Sequence, residues 1–420
     1  MTLIGLMMIS FEPLQAANPI WAPAPLQEII EEGLAQNKEI QSLEAQVASL
    51  KEEISFAGAL DDPRLGFAVL NLPVDSWSFK QEPMTQKQIF IAQKVPWFGK
   101  LSLRSQKQTL KAVRQQAFLD AKRLELSRQI AAAAYDLAFI SKSLEINDRL
   151  TDLVSQLLRV TETRYASGEG LQQDVLQAQV ELSKLLDEKI VLQRKHRTLQ
   201  DRINGLLNRD TFVSVELPQN LSFPDLKLSL EVLKEQSLRR NPWLRVKEAE
   251  VDQEAVAIEL AEKDYWPDMD FKVAYGQRDQ DRTGRSLPDF VSASVTLNIP
   301  LWQRTRQDKK LGATKKSHEA AMKSYRNFVK SLPYRVDAVV TDIRNTQENY
   351  RLYADALVLQ AGQWSRSSLA AYEVGKVEFN TMINSQIRLL RVELQAERYL
   401  YNIYQKRAEL EEILGGPLTP

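Results

Sequence analysis

The sequence contains no cysteine, which excludes disulfides, thiolate metal sites, a cysteine nucleophile and a lipid-bearing N-terminal cysteine. Glycine (15) and proline (17) are sparse for 420 residues and fall at a few places, which leaves room for long uninterrupted helices. No apolar run reaches the roughly 18–20 residues that a bilayer-spanning helix needs. Charge of one sign is also lacking. Lys+Arg and Asp+Glu number 55 each, and a chain of zero net charge offers no broad basic surface to nucleic acid. Phosphate-binding loops, dinucleotide fingerprints and zinc-protease motifs are missing. Acidic pairs such as Glu31-Glu32 and Asp61-Asp62 fall on helices and turns, where solvated charge is the ordinary state. The expectation is a protein with no catalytic residue, no cofactor and no metal site.

A content of 44% hydrophobic and 26% charged residues fits neither a disordered chain nor a helical membrane protein. The N-terminus reads as a signal peptide over residues 1–17. Its apolar stretch from Leu3 to Phe11 is followed by Gln15, Ala16 and Ala17, although a basic leading segment is missing.

The chain repeats itself. A shift of 204 positions brings Leu26 onto Leu230, Asn37 onto Asn241, Pro63 onto Pro267, Phe67 onto Phe271 and Pro96 onto Pro300. The shift then grows to 207, so that Tyr165 meets Tyr372, Gly168 meets Gly375 and Leu207 meets Leu414. These landmarks define a first repeat over 26–208, a linker over 209–229 containing Pro218 and Pro224, and a second repeat over 230–416. Each repeat reads helix, strand, loop, strand, very long helix, tight turn, long helix. The first helices are expected at about 26–57 and 230–263, and the very long ones at about 101–164 and 304–372, each roughly 100 Å in length. Pro333 is expected to kink or break the second. After the turns, Leu171, Val175, Ala178, Leu182, Leu185 and Leu192 follow a 4-3 spacing interrupted at Lys189 and His196. Met382, Leu389, Val392, Ala396, Ile403 and Leu410 repeat it, which is the pattern of a coiled-coil seam.

Between the helices the period changes to two. Val291, Ala293, Val295, Leu297 and Ile299 alternate with Ser292, Ser294, Thr296 and Asn298. Phe271, Val273 and Tyr275 behave in the same way, as do Leu65, Phe67 and Val69, and more weakly Ile89, Ile91 and Val95. Four strands are therefore expected, at about 63–72, 87–95, 268–276 and 291–299. Aromatics gather at both ends: Tyr265, Trp266, Trp97, Phe98 and Trp302 where strands meet helices, and Trp77, Phe79 and Phe290 at the other side. Apolar faces bounded by aromatic girdles are the pattern of membrane strands, with Phe67, Ile89, Phe271 and Val295 as lipid-facing residues. Small and charged residues on the opposite face suit a water-filled lumen. Four strands cannot close a barrel, since known single-chain barrels have at least eight, so spanning a membrane would require several copies. A soluble periplasmic coiled-coil adaptor or tether would explain the heptads and the duplication, but not the symmetrically placed amphipathic strands.

The order of these elements resembles the TolC-like outer-membrane efflux proteins from about residue 26 to 416. The resemblance is carried by Gln81-Glu82-Pro83-Met84 leading into a strand and Val95-Pro96-Trp97-Phe98-Gly99-Lys100 opening a helix. It continues in Arg164-Tyr165-Ala166-Ser167-Gly168, Asp174-Val175-Leu176-Gln177-Ala178-Gln179, Ile299-Pro300-Leu301-Trp302 and Tyr372-Glu373-Val374-Gly375. The resemblance implies a mainly α chain with a β membrane section: a coiled-coil tunnel plus four transmembrane strands, closing as a twelve-stranded barrel in a homotrimer. It implies an outer-membrane location in a Gram-negative-type bacterium with a large periplasmic portion. It also implies passive export of small molecules or metal ions received from an inner-membrane transporter through a periplasmic adaptor.

By the same resemblance, Tyr165, Gly168, Gly170, Tyr372 and Gly375 belong to adaptor-docking tips, and Pro96, Trp97, Pro300 and Trp302 mark the barrel-to-helix transition. Members of the family often narrow the periplasmic entrance with aspartates just after the second tip. Here the matching positions are Thr381 and Asn384, which are neutral candidates for the constriction, while Asp174 keeps an acidic residue after the first tip. The Gln-Glu-Pro-Met and Val-Pro-Trp-Phe-Gly-Lys segments lean towards the heavy-metal branch. The only two histidines, His196 and His318, lie far apart in sequence, and a lone Met84 makes no copper site.

Overall fold

The computed structural model describes residues 21–215, 221–224, 226 and 229–418; the expected signal peptide and Pro218 lie outside them. The elements follow one another twice in the same order. The first series is α1 (Ala24–Gln36), α2 (Lys38–Gly58), β1 (Arg64–Leu70), β2 (Gln86–Val95), α3 (Lys100–Ala166) and α4 (Gln172–Leu206). The second is α5 (Leu230–Arg240), α6 (Pro242–Lys263), β3 (Met269–Gln277), β4 (Phe290–Leu297), α7 (Gln307–Arg351), a π-helical segment (Leu352–Leu357), α8 (Val358–Glu373) and α9 (Phe379–Leu414). Among the described residues, no helix is long and apolar enough to cross a membrane.

Three sequence expectations need correction. The first helix of each repeat is two helices, broken at Asn37 and Asn241. Both asparagines take extended or nearly extended backbone, with ψ of 121° and 120°, and act as N-caps for the helix that follows. The Asn37 side-chain oxygen accepts the N–H groups of Glu39 (2.9 Å) and Ile40 (3.2 Å), and the Asn241 oxygen accepts that of Leu244 (3.2 Å). A side-chain acceptor that replaces the lost intrahelical partner makes such a break tolerable. The second very long helix starts at Gln307 rather than Arg304, because residues 302–306 form turns in which Thr305 and Arg306 donate to the Trp302 carbonyl. Pro333 does not break that helix; its neighbours Leu332 and Val336 are fully buried, and their burial offsets the hydrogen bond that proline cannot make. The regular α-helical pattern changes instead at the π-helical segment.

The chain forms two compact units. One holds the described residues of 1–43, 118–244 and 328–420. Its core includes a cluster in which Ile146, Leu150, Val154 and Leu157 of α3 meet Ala178 and Leu185 of α4 and Met382, Ile383 and Ile387 of α9. A second cluster joins Leu233 of α5 to Leu332, Val336, Val340 and Ile343 of α7 and Leu410, Ile413 and Leu414 of α9. Burying each such Leu or Ile contributes about 1.5–3 kcal/mol. The 4-3 spacing of α9 understates its burial: Phe379, Ser385, Leu400, Tyr401 and Tyr404 are buried as well, so it is a core helix rather than one with a single apolar stripe. Lys189, which interrupts the apolar run on α4, forms an ion pair with Asp148 of α3 at 2.8 Å.

The other unit holds residues 44–117 and 245–327 and contains the sheet, which is antiparallel in the order β1-β2-β3-β4. The register places Phe67 beside Ile89 and Ile89 beside Tyr275, and Phe271 beside Val295. Residues directly opposite each other share a face, so the register sorts most of the large apolar residues onto one side of the sheet and Gly66, Ala68, Ala92 and Ala274, together with Leu70, Phe90 and Phe290, onto the other. The apolar side is the open one: Phe67 is 79% exposed and Val291 75%, against 5% for Ala92 and 4% for Ala274.

Candidate functional site

Three places carry the residues singled out in the sequence. The first is the pair of interhelical turns. In the turn after α3, the Gly168 N–H bonds the Tyr165 carbonyl (3.1 Å) and the Glu169 N–H the Arg164 carbonyl (2.9 Å). In the turn after α8, Gly375 N–H bonds Tyr372 (3.0 Å) and Lys376 N–H bonds Ala371 (2.8 Å), which are the same pair of bonds 207 residues later. Both glycines have left-handed backbone, with φ of 77° and 71°, which a side chain at Cβ disfavours. Gly170 is favoured for another reason: a Cβ there would meet the Arg164 Cβ and the Tyr165 nitrogen at 3.0 Å, a tight approach that its neighbours would have to yield to. The two tyrosines differ. Tyr165 is 49% exposed, whereas Tyr372 is 8% exposed, edge-on to Phe379 at 5.8 Å and under the Arg164 guanidinium at 5.1 Å.

Just beyond the turns the two halves bond to each other. Gln177 of α4 donates to the Asn380 side-chain oxygen of α9 (2.8 Å), and Asn384 donates to the same oxygen (2.5 Å). Thr381 is exposed beside them. Asp174, at the start of α4, has its pKa raised above the usual carboxylate range by burial and by the negative charge of Glu378, opposed by Arg164. Sequence reasoning singled out Asn384 but missed the Gln177–Asn380 bond, because a hydrogen bond between repeats has no signature in either one.

The second place is the junction of sheet and helices. Pro96 is buried directly after β2, and Trp97 stacks on Trp266 with ring centroids 5.0 Å apart. Gly99 takes φ 86°, and Lys100 opens α3 with its side chain 5% exposed. Its ammonium meets Asp268 at 2.8 Å and Asp264 at 3.4 Å, while the Trp97 N–H donates to Asp268 at 3.0 Å. Burial raises the Asp268 pKa, but the bonds from Lys100 and the Trp97 N–H outweigh it and leave the carboxyl below its ordinary value. Lys100 and Asp268 had no role in the sequence reading, although Lys100 closes the Val-Pro-Trp-Phe-Gly-Lys motif. In the second half Pro300 is half-buried and Trp302 is exposed. Gln307, which opens α7, occupies the position of Lys100 under the 207-residue shift.

The third place is the sheet. Phe67, Ile89, Phe271 and Val295 all lie on its exposed apolar side, and Trp77, Phe79 and Phe290 lie in or next to the connections at the end away from the helices. The Lys87 ammonium sits over the Phe79 ring at 4.5 Å, and the Arg278 guanidinium over Phe290 at 3.9 Å. Among the described residues, no group of three or more His, Asp or Glu is arranged to hold a metal ion.

A duplicated long-helix chain whose four-stranded sheet exposes an apolar side and leaves two strand edges open is the protomer of an oligomeric membrane duct. The comparisons with known proteins give that class its particular family. The profile described as "Outer membrane efflux protein" matches residues 29–209 and 233–416, and the chain belongs to that family. No curated protein sequence matches the chain. Solved structures of the same fold include VceC from Vibrio cholerae, at TM-score 0.79 and 18% identity over 94% of this chain and 97% of that one. They also include the MtrE outer membrane channel of Neisseria gonorrhoeae (TM-score 0.76, 14% identity, 93% and 89% of the two chains). CusC matches at TM-score 0.75 and 13% identity, over 94% and 93%. The protein is thus a subunit of a trimeric outer-membrane efflux channel of the Gram-negative type, with a large periplasmic helical portion, and not an enzyme. It works with a periplasmic adaptor and an inner-membrane pump, and the soluble-adaptor alternative is not favoured.

Proposed function

We propose that each chain contributes its sheet as one third of the barrel wall, with Phe67, Ile89, Phe271 and Val295 against lipid. The observation that carries this reading is the exposed apolar side of a sheet whose outer strands, β1 and β4, each have only one neighbour. Pairing β4 of one copy with β1 of the next would satisfy those edges, as lipid demands. A tether or soluble adaptor would have no cover for that side. The helices add a second such surface. Leu176, Val180, Leu186 and Ile190 form an exposed apolar row on one face of α4, which suits a neighbouring copy.

Pro96, Trp97, Pro300 and Trp302 mark the passage from barrel to helices, and the segment 209–229 is the linker between repeats 26–208 and 230–416. The turns at Tyr165, Gly168, Gly170 and Gly375 form the tips that meet the adaptor, with Tyr372 supporting them from the core. Thr381 and Asn384 line the constriction, and the Gln177–Asn380–Asn384 bonds hold it narrow. A neutral ring there holds cations less strongly than an aspartate ring. The motifs preceding β2 and opening α3 favour metal ions as cargo over drugs, and the channel needs no metal ligands of its own to pass them.

Val295→Arg tests the barrel. A charge on the lipid face costs about 2–4 kcal/mol at the bilayer midplane and less towards the interface. Val295 lies towards the helix end of β4, so its cost falls below that range, and trimer yield in the outer membrane should still fall. Normal yield would remove Val295 from the lipid face. Bulky residues at Gly168 or Gly375 should impair efflux more than trimer formation; equal loss of both would make the turns purely structural.

A further inference from the structure

Every charged side chain on the small-residue side of the sheet falls in two adjacent rows. Arg64, Ala92, Lys272 and Ser294 occupy one row, and Lys94, Asp270 and Thr296 the next. Rows on one face are roughly 7 Å apart along the strands, so the four charges form a single narrow band at the end of the sheet that runs into the helices. Arg64 pairs with Asp270, and the nearby Asp268 carboxylate, which also feels Lys94, is already paired with Lys100, which leaves Lys94 and Lys272 as the surplus. Lys272 is held in place: its ammonium lies 3.9 Å from the centroid of the Phe90 ring, on the same side of the sheet. Phe90 lies against Gly66, where a Cβ would meet the ring at 2.3 Å, so the glycine makes room for the platform. On the opposite side of the sheet the only charged residue is Lys87, and it pairs with Asp279.

The geometry points to a cationic collar, formed by Lys94 and Lys272 of each copy, that makes the barrel end of the duct select anions over cations. The inference rests on the reading of the sheet as a third of a closed barrel with this side facing the lumen. Threefold repetition gathers all six surplus cations at one level of a water-filled pore. A low-dielectric wall focuses their field into the pore, raising the local concentration of anions and lowering that of cations. The polar side chains between them, Ser294 and Thr296, carry no compensating charge. A metal cargo would cross this level more readily as an anionic complex than as a free divalent cation.

The test is the reversal potential of the purified trimer in planar bilayers under a tenfold KCl gradient. The double variant K94Q/K272M is compared with the unsubstituted protein, and K87M serves as the control from the opposite side of the same sheet. The collar predicts a wild-type preference for chloride, a fall in the chloride-to-potassium permeability ratio of about threefold or more in K94Q/K272M, and no change in K87M. Because the tips are identical in all three proteins, the difference reports the barrel. An unchanged ratio in the double variant, or an equal change in K87M, overturns the collar while leaving the duct intact. Absence of trimers or of ion-conducting channels in the unsubstituted protein overturns the duct reading, and the collar with it.

Discussion

The two halves of the chain agree where the backbone needs a partner and differ where side chains meet their surroundings. Asn37 donates to the Leu206 carbonyl at 3.0 Å, and Asn241 donates to the Ile413 carbonyl at 2.8 Å. Each bond ties a helix break to the end of the last helix in its own half. The Gly168 and Gly375 turns share the same two hydrogen bonds. Burial, by contrast, has diverged. The last helix of the second half is a core element, while its counterpart α4 buries six residues and exposes an apolar row. Lys100 sits between two carboxylates, whereas the equivalent Gln307 is neutral. Duplication thus preserved backbone satisfaction, which admits few solutions, and left packing and charge free to specialise.

The largest expected break in this comparison is at the helix starts. Lys100→Met would leave Asp268 without its cation and should destabilise the protein by about 3–5 kcal/mol, read as thermal unfolding of the detergent-solubilised trimer. Gln307→Met, at the matching position, should cost less than about 1 kcal/mol. Equal losses would mean that the two junctions are fastened in the same way. The Lys100 contribution also has a pH signature. The folded-state pKa of Asp268 is lowered, so its stabilisation is complete at neutral pH and is lost as pH falls through that lowered value. In Lys100→Met the acid sensitivity of the melting temperature should shrink.

Next come the shared asparagines. Asn37→Leu and Asn241→Leu should each cost about 1–3 kcal/mol through the lost cap and the orphaned carbonyl. Their effects should agree within about 1 kcal/mol, and a wide gap in urea midpoints would end the claim that the two breaks are equivalent. The smallest effect belongs to the interhelical turns. Asp174 and Thr381 are equivalent under the 207-residue shift, and the raised pKa of Asp174 means that its ionised form is the disfavoured one. Its contribution is therefore complete at acid pH and declines as pH rises through the raised value. Asp174→Asn should raise the melting temperature slightly at pH 7 and leave it unchanged at acid pH, whereas Thr381→Asp should lower it at pH 7. A destabilised Asp174→Asn at pH 7 would contradict the sign.

Much of this was legible in the sequence, for identifiable reasons. Period-two alternation located all four strands because one side is apolar and the other small or polar, and each strand carries that contrast within its own residues. The repeat landmarks Asn37 and Asn241 stood out as a pair, but the helix breaks did not, because an asparagine cap inside an apolar-periodic run looks like one more polar position. Pro333 suggested a break that core burial overrides. The Lys100–Asp268 pair joins residues 168 apart in the chain, and the Gln177–Asn380 bond joins residues 203 apart. Such contacts exist only after folding and leave no local pattern. The change of shift from 204 to 207 was visible in the landmarks, and the structure assigns it to the turn at residues 302–306, between β4 and α7.

The central claim is a trimeric channel seated in the outer membrane. Membrane fractionation followed by mass determination in detergent tests it most directly. The account predicts a species near three times 48.0 kDa, recovered from the outer membrane and resistant to a high-pH wash. A soluble monomer or dimer released without detergent would contradict it.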